Sequence, residues 1–297
     1  MLNFEKIEKH RINEYKTYYE YTNAISCDVS VLNAYLWRNE FNIRFAILDD
    51  TLLKAYFKND GSIWGYCMPT GKNVRGALAA IFDDANQRGG TPSIVMLTNE
   101  QRALLEELYP NTFDYIRSPE NQDYIYFSED LATLAGKKYH AKRNHITKFF
   151  KTYPESHFET LDSSNADDAM TVVLQWCIEN NINPNLHEEV DVIREALSLR
   201  EEHNMQGAVL YVEQKPVAMT LGSEISSIAF DINFEKALRE YDGVYAVINN
   251  SFAKTLTRYK YINREEDMGI EGLRKSKLSY KPCIVLDRFN AVISEND

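Results

Sequence analysis

Residues 43–67 read IRFAILDDTLLKAYFKNDGSIWGYC, and residues 208–231 read AVLYVEQKPVAMTLGSEISSIAFD. In each stretch, short apolar runs are divided by tight polar turns. These are Asp49-Asp50 and Asn59-Asp60-Gly61 in the first, and Glu213-Gln214-Lys215 and Gly222-Ser223-Glu224 in the second. Runs of that length, broken by turn residues of that kind, predict a three-stranded antiparallel meander. The strands expected are 43–48, 52–57 and 63–67, then 208–212, 216–221 and 225–231. Working outward, helices over 3–20 and 29–37 precede the first meander, the second of them capped by Asp28. A helix over 74–88, a strand at 94–97, a helix from Asn99 to Tyr109 and strands at 113–117 and 124–127 follow it. The second meander lies behind a strand at 157–161 and helices at 166–179 and 188–203. After it come a helix at 245–258, a strand at 261–263, a helix opened by Asp267 and a strand at 283–287. One order of elements repeated 165 residues apart, 43 against 208, predicts a mixed α/β chain of duplicated plan. Its expected domains are 1–127 and 153–297, joined by a basic connecting helix over 128–152.

The 297 residues carry a net charge of -11, which excludes wholesale coating of nucleic acid and leaves room for a local basic patch. Cys27, Cys67, Cys177 and Cys283 are too scattered for a metal-ligand spacing and read as reduced thiols. The opening MLNFEKIEKHR lacks the apolar run of a signal peptide, and no segment reaches the ~20 apolar residues of a membrane span. A cytoplasmic protein without stable membrane insertion is the expectation.

Charge concentrates in two places. From Gly136 to Lys151 there are six lysines and arginines and no acid. Two readings fit: the wet face of an amphipathic connector, or an anion-binding stretch with Lys137, Lys138, His140, Lys142 and Arg143 available for phosphate. Gly136 costs a helix about 1 kcal/mol against alanine and predicts a break or close approach there. His140 and His145 stand five apart, the wrong spacing for two ligands on one helical face, so no metal is expected. Residues 261–282, YINREEDMGIEGLRKSKLSYKP, combine an acid cluster with Arg274, Lys277 and Lys281 along one side of a helix. They read either as a capped, solvated helix or as one wall of a ligand site. Residues 70–76, TGKNVRG, are too poor in glycine for a phosphate cradle, and residues 240–245, EYDGVY, would repel a pyrophosphate.

The doubled plan is similar to the tandem GNAT-type acyltransferase fold. The segments GKKYHAKRNHITKF (136–149) and NREEDMGIEGLRKSKLSYKP (263–282) resemble a bacterial family related to the C-terminal domain of phosphatidylglycerol lysyltransferase. The resemblance implies a transferase. Such lysyltransferases move an amino acid from aminoacyl-tRNA to a lipid hydroxyl, and the related Fem peptidyltransferases aminoacylate a cell-wall precursor. In both, the acceptor end of tRNA replaces coenzyme A. The implied donor is therefore aminoacyl-tRNA, and no resident cofactor follows. Two departures stand out. The coenzyme A loop Q/R-x-x-G-x-G/A is missing at residues 241–245, which speaks against acetyl-CoA. The membrane-spanning half of the lysyltransferases is absent, which speaks against a lipid acceptor.

In the scheme that the resemblance implies, Lys137, Lys138, His140, Arg143 and Lys148 bind donor phosphates. Arg274 and Lys277 face the oxyanion or an acceptor phosphate, and Glu266, Asp267 or Glu271 binds the donor's α-ammonium or acts as base. Asn144 and Tyr280 orient the ligand by hydrogen bonds. Two alternatives remain open: a non-catalytic fold binding a small anionic or aminoacyl ligand, and an acetyl-CoA-dependent N-acyltransferase working near residues 72–76. The scheme requires residues 136–149 and 261–282 to line one hollow.

Overall fold

The computed structural model describes residues 1–20 and 22–294; Tyr21 and residues 295–297, the last of the expected C-terminal domain, lie outside them. The chain forms two compact units, each with its own apolar core. The first comprises Met1–Asp123, Glu266–Arg274 and the chain from Val285 onward; the second comprises Tyr124–Glu265 and Lys275–Ile284. No helix among the described residues is long and apolar enough to cross a membrane.

In the first unit, strands Ile43–Leu48, Thr51–Phe57 and Ile63–Tyr66 form the expected antiparallel meander. The stretch read as helix from residue 3 instead opens as an edge strand, Glu5–Lys6, paired with Phe45 and Arg44. Helix is confined there to a 3-10 turn, Lys9–Arg11, and to Ile12–Lys16. Phe4 packs edge-on against Phe57 with ring centroids 5.8 Å apart, and that burial outweighs local helix propensity. Helix Val31–Leu36 is capped by Ser30, whose Oγ accepts from Asn33 N, rather than by Asp28. Strand Ser93–Leu97 runs parallel to Ile63–Tyr66. Strand Phe289–Ile293, absent from the sequence reading, inserts antiparallel between Ser93–Leu97 and Phe113–Arg117. Helices Val74–Gln87 and Asn99–Leu108 lay Ala77, Leu78, Ile81 and Leu105 on this sheet's core. A reciprocal capping box of Thr98 and Gln101 starts the second of them.

The second unit's sheet runs Asp123–Phe127, Tyr261–Asn263, Ala229–Ala237, Lys215–Ser226, Gln206–Val212, Ser156–Thr160. Residues 124–127, expected to close the first domain, pair here instead, with Tyr126 opposite Ile262, so the boundary at 127 moves back to Asp123. No turn forms at 222–224. The strand continues to Ser226 with register shifts on either side of Ser223. Gly222 lets the strands close up, since a Cβ there would lie 2.1 Å from Asp231 O.

The connecting helix is not continuous. Helix Ser128–Thr133 ends at Leu134, which is left-handed at φ 48°. Gly136 follows at φ 84°, then a 3-10 turn, Lys137–Tyr139, and the helix His140–Thr152. The break expected at Gly136 is thus present. Two carbonyls at the end of the first helix, those of Leu131 and Ala132, accept from Asn250 Nδ2 at 2.7 and 2.8 Å. Helix His140–Thr152 lies against the start of helix Val244–Ala253 at Gly243, whose φ is 89° and whose Cβ, if it had one, would sit 2.8 Å from His145 O. Gly243→Ala is therefore expected to destabilise the second unit by about 1–3 kcal/mol, from the left-handed backbone and the clash together, measured by urea denaturation.

Candidate active site

The parallel strands Ala229–Ala237 and Tyr261–Asn263 pair at three positions, Ala229 with Tyr261, Phe230 with Ile262 and Asp231 with Asn263. They then part. The first continues along Lys215–Ser226, with Glu235 opposite Thr220. The second turns toward its other neighbour: Arg264 N donates to Tyr124 O at 3.0 Å, and Glu265 follows at φ 54°. Glu235 and Arg264 meet at this opening. Arg264 Nη2 donates to Glu235 Oε1 at 2.8 Å, and the two side chains are 11% and 9% exposed. Glu235 Oε2 accepts from Asn249 Nδ2 of helix Val244–Ala253 at 3.3 Å. Arg264 Nη1 and Asn249 Oδ1 are buried without a hydrogen-bond partner among the described residues. A buried donor and a buried acceptor left over beside a satisfied ion pair are expensive unless something else completes them.

Aromatic rings and a lysine wall this opening. Tyr280, buried, has its ring centroid 4.9 Å from Arg264 Cζ, and Tyr126 lies 5.9 Å from the same guanidinium. Lys142 Nζ sits over Tyr280, 3.7 Å from its centroid. Tyr139, Lys142, Ile146, Phe149 and Tyr153 form one stripe at spacings of three and four, so the lysine occupies a position that helical phase turns inward. Burial, and then the Arg264 charge, push the Lys142 ammonium down to about 8, against the opposing pull of Glu235. The folded state disfavours that ammonium. The penalty is present below pH 8 and fades as the pH rises toward the ordinary lysine value. Burial, with Glu235 adding to it, raises the Tyr280 hydroxyl to about 12, partly offset by Arg264.

Of the residues singled out in the sequence, Tyr280 lines this site, and buried Lys277 holds it from behind through a hydrogen bond from Nζ to Arg264 O. Other members of the basic stretch are engaged locally. Lys138 pairs with Asp130 at 2.8 Å, and Lys148 with Asp242 at 2.6 Å. Arg143 Nη1 donates to Leu134 O and, at 2.8 Å, to Gly136 O, bracing the broken turn. His140 Nε2 contacts Asn144 Nδ2 at 3.2 Å, and Lys137 is exposed. Residues 266–274 belong to the first unit, and within the second unit the two charged segments meet at Lys142, Arg264 and Tyr280. Asp267 lies four residues ahead of the first residue of helix Glu271–Ser279 rather than at its start. It is buried, closes a turn on Gly269 N at 2.9 Å and takes both ends of the Arg274 guanidinium at 2.7 and 2.9 Å. Glu271 is the first residue of that helix and is exposed.

Glu235, Asn249 and Arg264 were missed from the sequence. A signal for the first exists: Asp231, Asn233 and Glu235 put three polar side chains on one face of an interior strand.

The first unit holds a separate polar cluster. Arg288, wholly buried, donates to Asp123 Oδ2 at 2.9 Å and Ser26 Oγ at 2.5 Å, and lies 3.1 Å from Asp28 Oδ2. Cys27, Asp123 and Glu266 bring potential ligand atoms within 4.8 Å of one another. The Arg288 guanidinium already serves Asp123 as counter-ion, and Cys27 N donates to the same carboxylate at 3.0 Å. This group is therefore read as a structural network. A depression of about 620 Å³ lined by Arg102, Glu106 and Tyr115 also lies in this unit; its Glu106 already accepts from Tyr115 Oη at 3.1 Å and Asn111 N at 2.9 Å.

Residues 19–292 match the family described as phosphatidylglycerol lysyltransferase, C-terminal. The chain belongs to that family. Its fold agrees. A conserved protein of unknown function from Bacteroides thetaiotaomicron VPI-5482 is 34% identical and superposes with a TM-score of 0.92, covering 99% of this chain and 100% of its own. The L-PGS structure from Bacillus licheniformis matches at 14% identity and a TM-score of 0.66, over 96% of this chain and 92% of that one. FemX matches at 9% identity and a TM-score of 0.61, over 98% of each chain. At such identities the last two show the fold alone, a GNAT-like mixed α/β architecture.

Proposed function

We propose that the second unit is an acyl-transfer site for an aminoacyl ester, supplied by the acceptor end of an aminoacyl-tRNA, with the acceptor left unassigned. The observation that carries the reading is the pair of buried, unpartnered atoms flanking Glu235. An aminoacyl ester presents a carbonyl oxygen that becomes an oxyanion, and an α-ammonium. Arg264 Nη1 is a charged donor for the first. Asn249 Oδ1 is a neutral acceptor for the second, with Glu235 as its carboxylate. Glu235 also holds the guanidinium in place, so the donor is pre-organised rather than recruited.

The contact at Gly243 supports this reading over an acetyl-CoA one. The N-terminus of helix Val244–Ala253 is covered by the His145 backbone, and the Lys148 ammonium beside it is already paired with Asp242 at 2.6 Å, so an incoming pyrophosphate would find little room there and that cation already engaged.

The test is a titration with an RNA minihelix whose 3′ end carries an amino acid through a non-hydrolysable amide. Binding should raise the melting temperature by mass action, coenzyme A should leave it unchanged, and Arg264→Met should lose the response. Stabilisation by coenzyme A with none by the minihelix would overturn the reading.

A further inference from the structure

We propose that Lys142 is the group that takes the proton from the attacking nucleophile in this site; the inference rests on the acyl-transfer reading above. Its neighbours in the basic stretch have local roles, with Lys138 and Lys148 in ion pairs and Arg143 on backbone carbonyls. Lys142 lies on the apolar stripe, over the face of Tyr280. The charged groups acting on it are the Arg264 guanidinium and the Glu235 carboxylate; Tyr280 lies beneath it, and Tyr126 borders the guanidinium. Among the described residues it forms no ion pair with Glu235, whose oxygens are taken by Arg264 and Asn249. An amine turned inward, next to a fixed cation and without an ion pair of its own among the described residues, is poised to give up its proton, against the Tyr280 face, which favours the ammonium. Held to about 8, it is neutral in about a tenth of molecules at pH 7 and about half at pH 8, where an ordinary lysine of pKa about 10.4 is almost wholly protonated.

The step balances within the site. The nucleophile's O–H or N–H proton passes to Lys142 Nζ as its lone pair forms the bond to the carbonyl carbon. The ester C–O bond then breaks with its electron pair on the ribose oxygen, and that oxygen takes the proton back from Lys142. Arg264 Nη1 holds the carbonyl oxygen throughout. The reaction consumes no oxidant, reductant or further group.

Two measurements test it, both on the full chain. The first is acetylation by acetic anhydride across pH, with peptide mass spectrometry. Lys142 should label with a midpoint near pH 8, while Lys138 and Lys148 label only at more alkaline pH. The second uses water as nucleophile and an aminoacyl minihelix as donor. The deacylation rate should rise with pH to a plateau, with an apparent pKa near 8. Lys142→Arg should lower kcat about 100-fold with a change of less than about 3-fold in minihelix affinity, and added primary amines should partly rescue Lys142→Ala. A minihelix that binds to a protein whose Lys142 labels like its surface lysines would sink this proposal alone. A minihelix that does not bind would remove the acyl-transfer reading and the proposal with it, whatever the labelling midpoint.

Discussion

Arg264→Met is expected to cost the second unit about 3–5 kcal/mol and to abolish minihelix capture, because it leaves the buried Glu235 carboxylate without its counter-ion. The two side chains are 11% and 9% exposed, so solvent screening does little to soften the loss. What remains around Glu235 is one neutral donor, Asn249 Nδ2 at 3.3 Å, which is not enough for a full charge. The unit can be followed by itself. Trp176 is one of three tryptophans and lies in the second unit, so replacing Trp37 and Trp64 by phenylalanine leaves its fluorescence as the sole report in a urea titration. Glu235→Met combined with Arg264→Met should recover most of the lost stability, since an apolar pair of similar volume carries no buried charge. It should not recover binding. That dissociation separates the two roles of the pair: the fold tolerates its joint removal and the chemistry does not. If deacylation survives in the double variant, Arg264 does not stabilise the oxyanion, for which a single donor is worth about 10²–10³ in rate.

The same residues show how far the chain was legible in advance. Both meanders could be read because their strands are neighbours in sequence and their turns advertise themselves; Asp49 and Asp50 stand at φ 46° and 55°, as a tight polar turn demands. Gly222 misled for the opposite reason. A glycine in a strand marks either a turn or a close crossing, and only the position of Asp231 O decides which. Strand Phe289–Ile293 was invisible because its partners, Ser93–Leu97 and Phe113–Arg117, lie more than a hundred residues upstream. The site divides in the same way. Tyr280 and the stretch holding Lys142 drew attention through composition. Arg264 gives no signal of its own beside the acid run that follows it, although it carries the buried charge, and the run's Asp267 serves Arg274. Charge density along a sequence finds charged surface. It does not distinguish a guanidinium that closes a turn, as in Arg143, from one held for a ligand, because that difference lies in which carbonyls happen to be nearby. A charged residue in phase with an apolar stripe, as Lys142 is with Ile146 and Phe149, is the better indicator, because the helix commits it to the interior.

Arg288→Met is expected to cost the first unit at least as much as the Arg264 change costs the second, about 3–5 kcal/mol, from a total that for domains of this size is about 5–15 kcal/mol. Arg288 is wholly buried and answers two carboxylates, Asp123 at 2.9 Å and Asp28 at 3.1 Å, with Ser26 Oγ as a third contact. Burial works against its charge, but those two carboxylates outweigh burial and hold the guanidinium firmly protonated. Removing it takes the guanidinium charge from Asp123, to which Cys27 offers only neutral donors, N at 3.0 Å and the thiol at 3.4 Å. Lysine should not substitute. Nη2 alone makes all three contacts, and the lysine stem ends one bond short of that atom, so Arg288→Lys should fall between the wild type and Arg288→Met in urea. The ordering is the informative part. If Arg288→Lys matches the wild type, the cluster needs only a positive charge, and the reading of its geometry as a fixed network fails. If all three proteins melt together, the carboxylates are not relying on Arg288, and the Cys27, Asp123 and Glu266 trio would then have to be reconsidered as a cation site.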